Sequence, residues 1–203
     1  LFEVWWSRHL GAAMKDLLMP RSVAPYFRGT DTELLLELIE RPGPPLAGDA
    51  LAQRNDLLER TLVLAWGDMQ QLAGPDPGRW RWGALHQVLL AHPLANATDE
   101  ATRARLNVGP FAKQGGSDTV NLSSHDPANF RQTGGPSFRV VIDVGDWDNS
   151  RAVNTPGQSG DPASPHYRDL APLWLKGDYF PLLYSRARVE AAAVRRIELV
   201  PGK

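Results

Sequence analysis

The residues Phe138-Arg-Val-Val-Ile-Asp-Val144 form the strongest β-prone run of this chain. Successive side chains of a strand point to opposite faces. One face therefore carries Phe138, Val140, Ile142 and Val144, and the other carries Arg139, Val141 and Asp143. An acid in such a run is expected to be at least partly buried, where a carboxylate needs a partner. Asp143 is thus either paired structurally, with arginine or backbone groups, or it orients a histidine or an ammonium at a site.

The sequence around this run is rich in loop-forming residues. From about Ser117 onward Gly, Pro, Asn and Asp are frequent, and the runs Ala152-Val153 and Ile197–Val200 are weaker strand candidates. The segment Gly145–Asp169 is predicted to be one long loop, and such loops usually have a function or lie against another surface. We therefore expect strands and long loops over residues 96–203.

The first half of the chain has helical periodicity instead. One helix is predicted to end at Pro20, and a second follows a candidate capping box formed by Thr30 and Glu33. The longest helix is predicted from about Asp49 to Ala73, with an apolar stripe of Leu51, Leu58, Leu62, Ala65, Trp66, Met69 and Leu72. Residues 1–95 are therefore expected to be mainly helical, and Trp82–Leu90 is ambiguous between helix and strand. The fold class that follows is α+β.

Composition excludes several classes of function. The chain has 203 residues, 22 basic and 23 acidic, and no cysteine, which excludes disulfides, thiolate metal sites and a cysteine nucleophile. A net charge of −1 provides no basic stripe for nucleic acid and no polybasic membrane patch. Neither a transmembrane run nor a signal peptide is recognisable. Residue 1 is Leu rather than Met, which suggests a piece of a longer protein.

Two local patterns could carry chemistry. Ser164, His166 and Asp169 contain the residue types of a serine hydrolase triad, but they are near neighbours in a Pro-rich loop and no G-x-S-x-G elbow is present. The second pattern is Asp146, Asp148 and Asn149, which could contact Ca²⁺ but lack the later Gly and Glu of an EF-hand loop. A turn-forming acidic cluster is favoured there. The five histidines are scattered, and we expect no metal site.

Several short motifs, taken in order, resemble the penicillin acylase family. They are Trp82-Gly83 with His86, His92-Pro93-Leu94, Gly116-Ser-Asp-Thr-Val-Asn121, Gly135-Pro-Ser-Phe-Arg139, Asp143-Val-Gly-Asp-Trp-Asp-Asn-Ser150, Asn154-Thr-Pro-Gly-Gln-Ser-Gly160 and Ser164-Pro-His-Tyr167. The resemblance covers nearly the whole chain and is closest to the C-terminal part of the β-subunit. Residues 1–203 are therefore expected to form a single C-terminal fragment of such a β-chain.

This resemblance implies an N-terminal-nucleophile amidohydrolase. In that family a precursor cleaves itself, and the Ser exposed at the start of the β-chain attacks the substrate amide with its own α-amine as base. The implied fold is an αββα sandwich, of which this chain would be a part. The implied substrates are N-acyl amides such as β-lactam antibiotics, acyl-homoserine lactones or lipopeptides. The implied partners are the α-chain and the remainder of the β-chain, in the periplasm or outside the cell, with no cofactor.

The chain departs from the family pattern in one important respect. Residue 1 is Leu, and no internal Ser lies in a plausible autoprocessing context. The nucleophile is therefore expected outside this chain, which alone should be inactive. By resemblance Asp143 is a candidate second-layer acid that supports a histidine near the nucleophile, while Arg139 and His166 are candidate structural residues. Two alternatives stay open: a non-catalytic structural or binding module, and an independent serine hydrolase that uses Ser164, His166 and Asp169.

Overall fold

The computed structural model describes residues 1–26 and 31–202. The α-helices are α1 (Gly11–Leu18), α2 (Thr32–Glu40), α3 (Ala50–Ala73), α4 (Trp82–Leu85), α5 (Glu100–Leu106), α6 (Ala171–Lys176) and α7 (Arg186–Ala192). The strands are β1 (Gln87–Leu90), β2 (Val108–Ala112), β3 (Ser124–His125), β4 (Gln132–Gly134), β5 (Arg139–Val141), β6 (Arg151–Val153) and β7 (Phe180–Pro181). A π-helical segment, Val4–Leu10, leads directly into α1.

The chain divides into two compact units. The first contains Leu1–Val88 with Phe111–Gly134, and the second contains Leu89–Pro110 with the residues from Gly135 onward. Strands β1 and β2 pair in a two-stranded sheet, and β3 pairs with β4 in antiparallel orientation. Strands β5, β6 and β7 form a three-stranded antiparallel sheet in that order. Helices combined with small antiparallel sheets confirm the predicted α+β class.

Helix α3 has the predicted bounds. Asp49 caps it, because its carboxylate accepts a hydrogen bond from Ala52 N at 3.0 Å. It ends at Gly74, whose φ of +85° lies in the region that favours glycine. Part of the predicted apolar stripe is wrong, because Leu51, Leu62, Trp66 and Leu72 are exposed. The buried row is Leu57, Thr61, Ala65 and Met69, at i, i+4 spacing.

The core of the first unit is built from the N-terminal helical segments, α2 and α3. One cluster contains Trp6, Leu10, Met14, Leu35, Leu38, Leu46 and Leu57. A second contains Val4, Ala65, Met69 and Phe130. Asp31 caps α2 by accepting from Leu34 N, whereas Thr30 of the predicted capping box lies outside the described residues. Residues 82–90 contain both predicted alternatives, since α4 is followed by β1.

The second unit has less regular structure than predicted in one place and more in another. Strand β5 covers only Arg139–Val141, so Asp143 lies beyond its end. Strand β6 confirms the weaker strand candidate Ala152-Val153, and it interrupts the predicted loop Gly145–Asp169, because Val140 pairs with Ala152 across the sheet. Residues 96–203, expected to contain strands and long loops, also contain α5, α6 and α7. The predicted strand Ile197–Val200 is wrong, since these residues are exposed and outside regular structure. A β-prone run forms a strand only where a partner strand completes its hydrogen bonds.

Candidate functional site

Asp143 lies in a tight turn after β5 and is half-buried. Its Oδ1 accepts hydrogen bonds from Gly145 N at 2.9 Å and Asp146 N at 3.1 Å. Its Oδ2 accepts one from Asn149 Nδ2 at 2.9 Å. The hydrogen bond from Asn149, followed by those from the two backbone N–H groups, lowers the pKa of Asp143. The carboxylate is therefore ionised at neutral pH and held by its own loop, as the backbone-bonded interpretation expects.

The other two acids of this loop also accept hydrogen bonds from backbone N–H groups. Asp146 Oδ1 accepts from Asp148 N at 3.2 Å. Asp148 Oδ1 accepts from Tyr184 N at 2.8 Å and Ser185 N at 2.9 Å. Hydrogen bonding from Ser185 lowers the pKa of Asp148. Within residues 1–26 and 31–202 no group of three or more His, Cys, Asp or Glu could hold a metal ion.

Arg139 fastens β5 to α6. Its Nη2 donates to the carbonyl of Trp174 at 2.6 Å, and its Cζ lies 4.9 Å from the centroid of the Trp174 ring. The indole Nε1 of Trp174 in turn donates to Pro136 O at 3.0 Å. Because Trp174 is in the last turn of α6, its carbonyl lacks an intrahelical partner, and the guanidinium supplies one. Asp143 is not the partner of Arg139.

His166 anchors the Asn154–Asp169 loop through its backbone. Its carbonyl accepts hydrogen bonds from Gln158 N at 2.9 Å and Ser159 N at 3.1 Å. Gly157 lies so close to this carbonyl that an added Cβ would be 2.2 Å from His166 O. The imidazole instead projects outward, with 71% of the side chain exposed. The backbone, rather than the ring, therefore holds the loop together.

The three residues of the candidate triad are only partly brought together. His166 Nδ1 lies 2.8 Å from Asp169 Oδ2. The hydroxyl of Ser164, however, accepts from the backbone N of His166 at 3.2 Å, which is an ordinary turn interaction. A triad needs the serine Oγ within hydrogen-bond reach of the imidazole Nε2. The observed bonds give His166 and Asp169 the geometry of an exposed surface pair.

The first unit contains a polar cluster that the sequence did not predict. We name it the buried histidine cluster, and it consists of Ser7, His86, Ser123, His125 and Phe130. His86 Nδ1 lies 2.8 Å from Phe130 O, and its Nε2 lies 2.6 Å from Ser123 Oγ. His86, Ser123 and Phe130 are all 0% exposed. The sequence marks His86 only as part of a short motif, because Ser123 lies 37 residues away and forms no local pattern with it.

The tautomers of the two histidines follow from their partners. The carbonyl of Phe130 only accepts, so we assign the proton of His86 to Nδ1, and Nε2 accepts from the Ser123 hydroxyl. Ser7 donates its single hydroxyl hydrogen to Glu3 O at 2.6 Å. His125 Nε2, 3.1 Å from Ser7 Oγ, therefore carries its proton and donates. His125 Nδ1 is buried without a hydrogen-bond partner.

Burial keeps both imidazoles neutral. Burial lowers the pKa of His86, its hydrogen bond to Phe130 O opposes this shift, and the Lys113 cation adds to it. Burial also lowers the pKa of His125, as does His86, while Asp126 acts in the opposite direction. Ser123 has the hydrogen-bond direction of an activated serine. With no exposed surface on Ser123 or His86, however, a substrate cannot reach the hydroxyl, and the pair is structural.

A buried lysine holds the adjacent turn. Lys113 is 2% exposed, and its Nζ donates to Gln114 O and to Asn121 Oδ1, both at 3.0 Å. Gly115 has a φ of +92°, and a Cβ there would be 1.9 Å from Asn121 O. Only glycine therefore fits this position. The turn Gly116–Asn121 is thus held by the buried Lys113 and by the close approach of Gly115 to Asn121 O.

Comparison with known proteins identifies the class to which this fold and these motifs belong. The family model described as penicillin amidase matches residues 1–191. The chain therefore belongs to the penicillin amidase family, and its homologues are acylase-type hydrolases.

Individual relatives agree with this assignment. The chain is 44% identical over 122 residues to the penicillin acylase 2 proenzyme of Pseudomonas sp. (strain SE83), covering 60% of this chain and 16% of that protein. It is 32% identical over 157 residues to the acyl-homoserine lactone acylase QuiP of Pseudomonas fluorescens, covering 75% and 18%. It is 29% identical over 204 residues to the QuiP of Pseudomonas aeruginosa, covering 95% and 22%. The chain thus spans about a fifth of the length of these relatives.

Among its described helices none is long and apolar enough to cross a bilayer.

Proposed function

We propose that this chain is the C-terminal portion of the β-chain of an acylase that hydrolyses N-acyl amide bonds. The match to the penicillin amidase family over residues 1–191 carries this proposal. The relatives are named as acylases of penicillin and of acyl-homoserine lactones, which favours small N-acyl substrates. The attacking group is an N-terminal Ser located in another part of the longer polypeptide, and its α-amine serves as the base.

The described residues support a scaffolding role for this portion of the enzyme. Ser123, which donates to His86, is wholly buried, and Ser7 donates its hydroxyl hydrogen to Glu3 O rather than to His125. The Ser164 hydroxyl accepts from the backbone N–H of His166. A substrate therefore cannot reach Ser123, and the hydrogen bond of Ser164 is to the His166 backbone rather than to its ring. The family resemblance further implies that the chain contributes part of an αββα sandwich and binds the α-chain and the rest of the β-chain. Export to the periplasm is part of the same proposal and rests on the family.

A comparison of two polypeptides tests the proposed function. The longer polypeptide encoded by the gene should hydrolyse a phenylacetyl or long-chain acyl amide, and a serine-directed fluorophosphonate should label the first residue of its β-chain. The 203-residue chain alone should show neither turnover nor labelling. Turnover by the isolated chain, or a label on Ser164, would support the independent serine hydrolase instead. A longer polypeptide that binds its partners but hydrolyses no amide would support the non-catalytic module.

Asp143 is the residue of this chain that we propose to act in the reaction, as a positioning acid for a histidine outside it. In the longer polypeptide Asp143→Asn should lower kcat by about tenfold, because the histidine loses the charged acceptor that orients it. Autoprocessing and KM should change little. Asp146→Asn is the matched control, because Asp146 caps the next turn of the same loop. An equal effect of both substitutions on kcat would make Asp143 merely a loop residue.

A further inference from the structure

Two opposed side chains of the β3–β4 hairpin place buried polar atoms next to each other. His125 of β3 and Gln132 of β4 are directly paired in the antiparallel ladder. Among residues 1–26 and 31–202 neither the Nδ1 atom of His125 nor the Oε1 atom of Gln132 finds a hydrogen-bond partner, and both atoms are buried. Side chains of opposed residues lie on the same face of a sheet, with Cβ atoms about 5 Å apart. The two atoms are therefore neighbours across the hairpin.

Both atoms are acceptors, so no hydrogen bond can join them while the imidazole is neutral. The proton of neutral His125 lies on Nε2, which donates to Ser7 Oγ at 3.1 Å, and this leaves a lone pair on Nδ1. The Oε1 atom of a glutamine carries lone pairs and no hydrogen. A buried acceptor that stays unsatisfied costs free energy, and here two such atoms share one site. One proton added to Nδ1 supplies the donor that both need.

We propose that His125 and Gln132 form a proton-operated switch within the β3–β4 hairpin. At neutral pH the two side chains are not bonded to each other. In mild acid the Nδ1 atom of His125 takes up one proton from solvent, and the new N–H group donates to Gln132 Oε1. This adds a side-chain hydrogen bond between β3 and β4, while the Nε2–H group still donates to Ser7. The switch uses only residues of this chain and does not depend on the proposed acylase function.

The surroundings of His125 keep the second proton off at neutral pH. Burial lowers the pKa of His125, and His86, whose ring centroid lies 5.7 Å away, lowers it further. The Asp126 carboxylate opposes these two effects. His86 has its own hydrogen-bond partners at both ring nitrogens, so it does not compete for Gln132. The switch therefore operates below pH 6.5, the ordinary pKa of a histidine.

Cations on two neighbouring elements also act against a charged ring. Arg8 lies on the π-helical segment, with its guanidinium carbon 4.5 Å from the centroid of the Phe130 ring. Lys113 is buried just beyond β2, and its charge disfavours protonation within the buried histidine cluster. Protonation of His125 against these charges requires an acceptor for the new N–H group. Gln132 Oε1 is the acceptor that the hairpin provides.

Nuclear magnetic resonance of the histidine ring nitrogens tests the switch in the 203-residue chain. The chemical shift of a ring nitrogen distinguishes a bare atom from one that carries a proton, so a pH titration reports both the tautomer and the pKa. At neutral pH His125 should carry its proton on Nε2 alone. Gln132→Leu removes the acceptor and should weaken proton binding by His125 at least about tenfold, which lowers the pKa by about one.

Two further variants complete the test. Gln132→Glu keeps an acceptor at the same place and adds a negative charge, so the pKa of His125 should rise above that of the parent chain. This variant keeps a polar side chain and remains informative if Gln132→Leu does not fold. Thr133→Val is the matched control, because Thr133 is the next residue of β4 and its exposed side chain lies on the opposite face. It should leave the pKa of His125 unchanged.

Three results would overturn the switch. The same pKa of His125 in the parent chain and in Gln132→Leu would show that Gln132 does not receive the proton. A higher pKa in Gln132→Leu would show that the Gln132 amide N–H already donates to Nδ1 at neutral pH and stabilises the neutral ring. A proton on Nδ1 at neutral pH would contradict the tautomer on which the switch depends. All three leave amide hydrolysis by the longer polypeptide untouched, so the proposed function is tested separately.

Discussion

The Nε2 atom of His86 lies 2.6 Å from the hydroxyl oxygen of Ser123, and both side chains are wholly buried. The imidazole accepts from Ser123 and donates to Phe130 O at 2.8 Å. One ring thereby joins the end of α4 to two positions of the segment 111–134. The same pair of residue types that elsewhere activates a nucleophile here has no access to solvent. Burial, rather than residue identity, decides between catalysis and structure.

Ser123→Ala should destabilise the chain through this bond. The substitution leaves His86 Nε2 as a buried acceptor without a donor, which costs about 1–3 kcal/mol. Urea denaturation followed by the fluorescence of the seven Trp residues measures the change. Ser117→Ala is the control, because Ser117 is exposed. Equal midpoints for the two variants would contradict the importance of the His86–Ser123 bond.

The buried histidine cluster predicts a loss of stability in mild acid. The folded-state pKa values of His86 and His125 lie below the ordinary value of 6.5. The unfolded chain therefore takes up protons first as the pH falls. The contribution of the two neutral histidines to the free energy of unfolding is fully present above pH 6.5. It is lost as the pH falls through their folded-state pKa values. The neighbouring cations disfavour a positive charge on either imidazole. Arg8 lies over the Phe130 ring at 4.5 Å, and Lys113 lowers the pKa of His86. The carboxylate of Asp126 has the opposite effect and raises the pKa of His125.

Denaturation midpoints between pH 5 and 7 measure this effect. Each buried histidine can add a slope of up to about 1.4 kcal/mol per pH unit. The carboxyl groups with lowered pKa values, such as Asp68 and Asp143, act below their ordinary value near 4 and leave this window unaffected. His125→Gln should reduce the slope, whereas His166→Gln, at an exposed ring, should not. The same slope in all three proteins would refute the assignment of the pH dependence to the cluster.

The Asn154–Asp169 loop should depend on Gly157 more than on the His166 ring. Gly157→Ala forces a Cβ to within 2.2 Å of His166 O, and backbone displacement of this kind costs about 2 kcal/mol or more. His166→Ala removes an exposed ion pair worth about 0–1 kcal/mol. Limited proteolysis of the loop and the melting temperature measure both changes. Gly160→Ala is the control, because nothing lies within 4 Å of its added Cβ. A larger drop in melting temperature from His166→Ala than from Gly157→Ala would show that the imidazole ring, rather than the backbone, holds the loop.

Arg139→Ala should loosen α6 from β5. It removes the hydrogen bond to Trp174 O and the contact with the indole ring, together worth about 1–3 kcal/mol. The shift of the unfolding midpoint measures this loss, and Arg151→Ala on the exposed side of β6 serves as the control. If the two arginines prove equivalent, the structural role predicted for Arg139 is wrong.

Local signals in the sequence predict the main helices of the first half, but not α5, α6 and α7, which lie among the residues expected to be strands and loops. The cap at Asp49, the stop at Gly74 and the 24-residue length of α3 all come from interactions between residues a few positions apart. The buried row of α3 was less predictable, since Leu62 and Trp66 are exposed while Thr61 is buried. Apolar character measures how much a residue gains from burial, but only the neighbouring elements decide which side is covered.

The sequence by itself determined the family, the α+β class and the bounds of the main helices. Only the tertiary structure decided that Ser123 meets His86, that the His166 backbone holds its loop, and that β5 keeps a free edge. The reason is the distance along the chain between the interacting residues. Caps, turns and helix periodicity depend on residues about four positions apart, so they can be predicted from short stretches of sequence. Burial and long-range hydrogen bonds join segments far apart in the chain, and these interactions exist only once the backbone has brought the segments together.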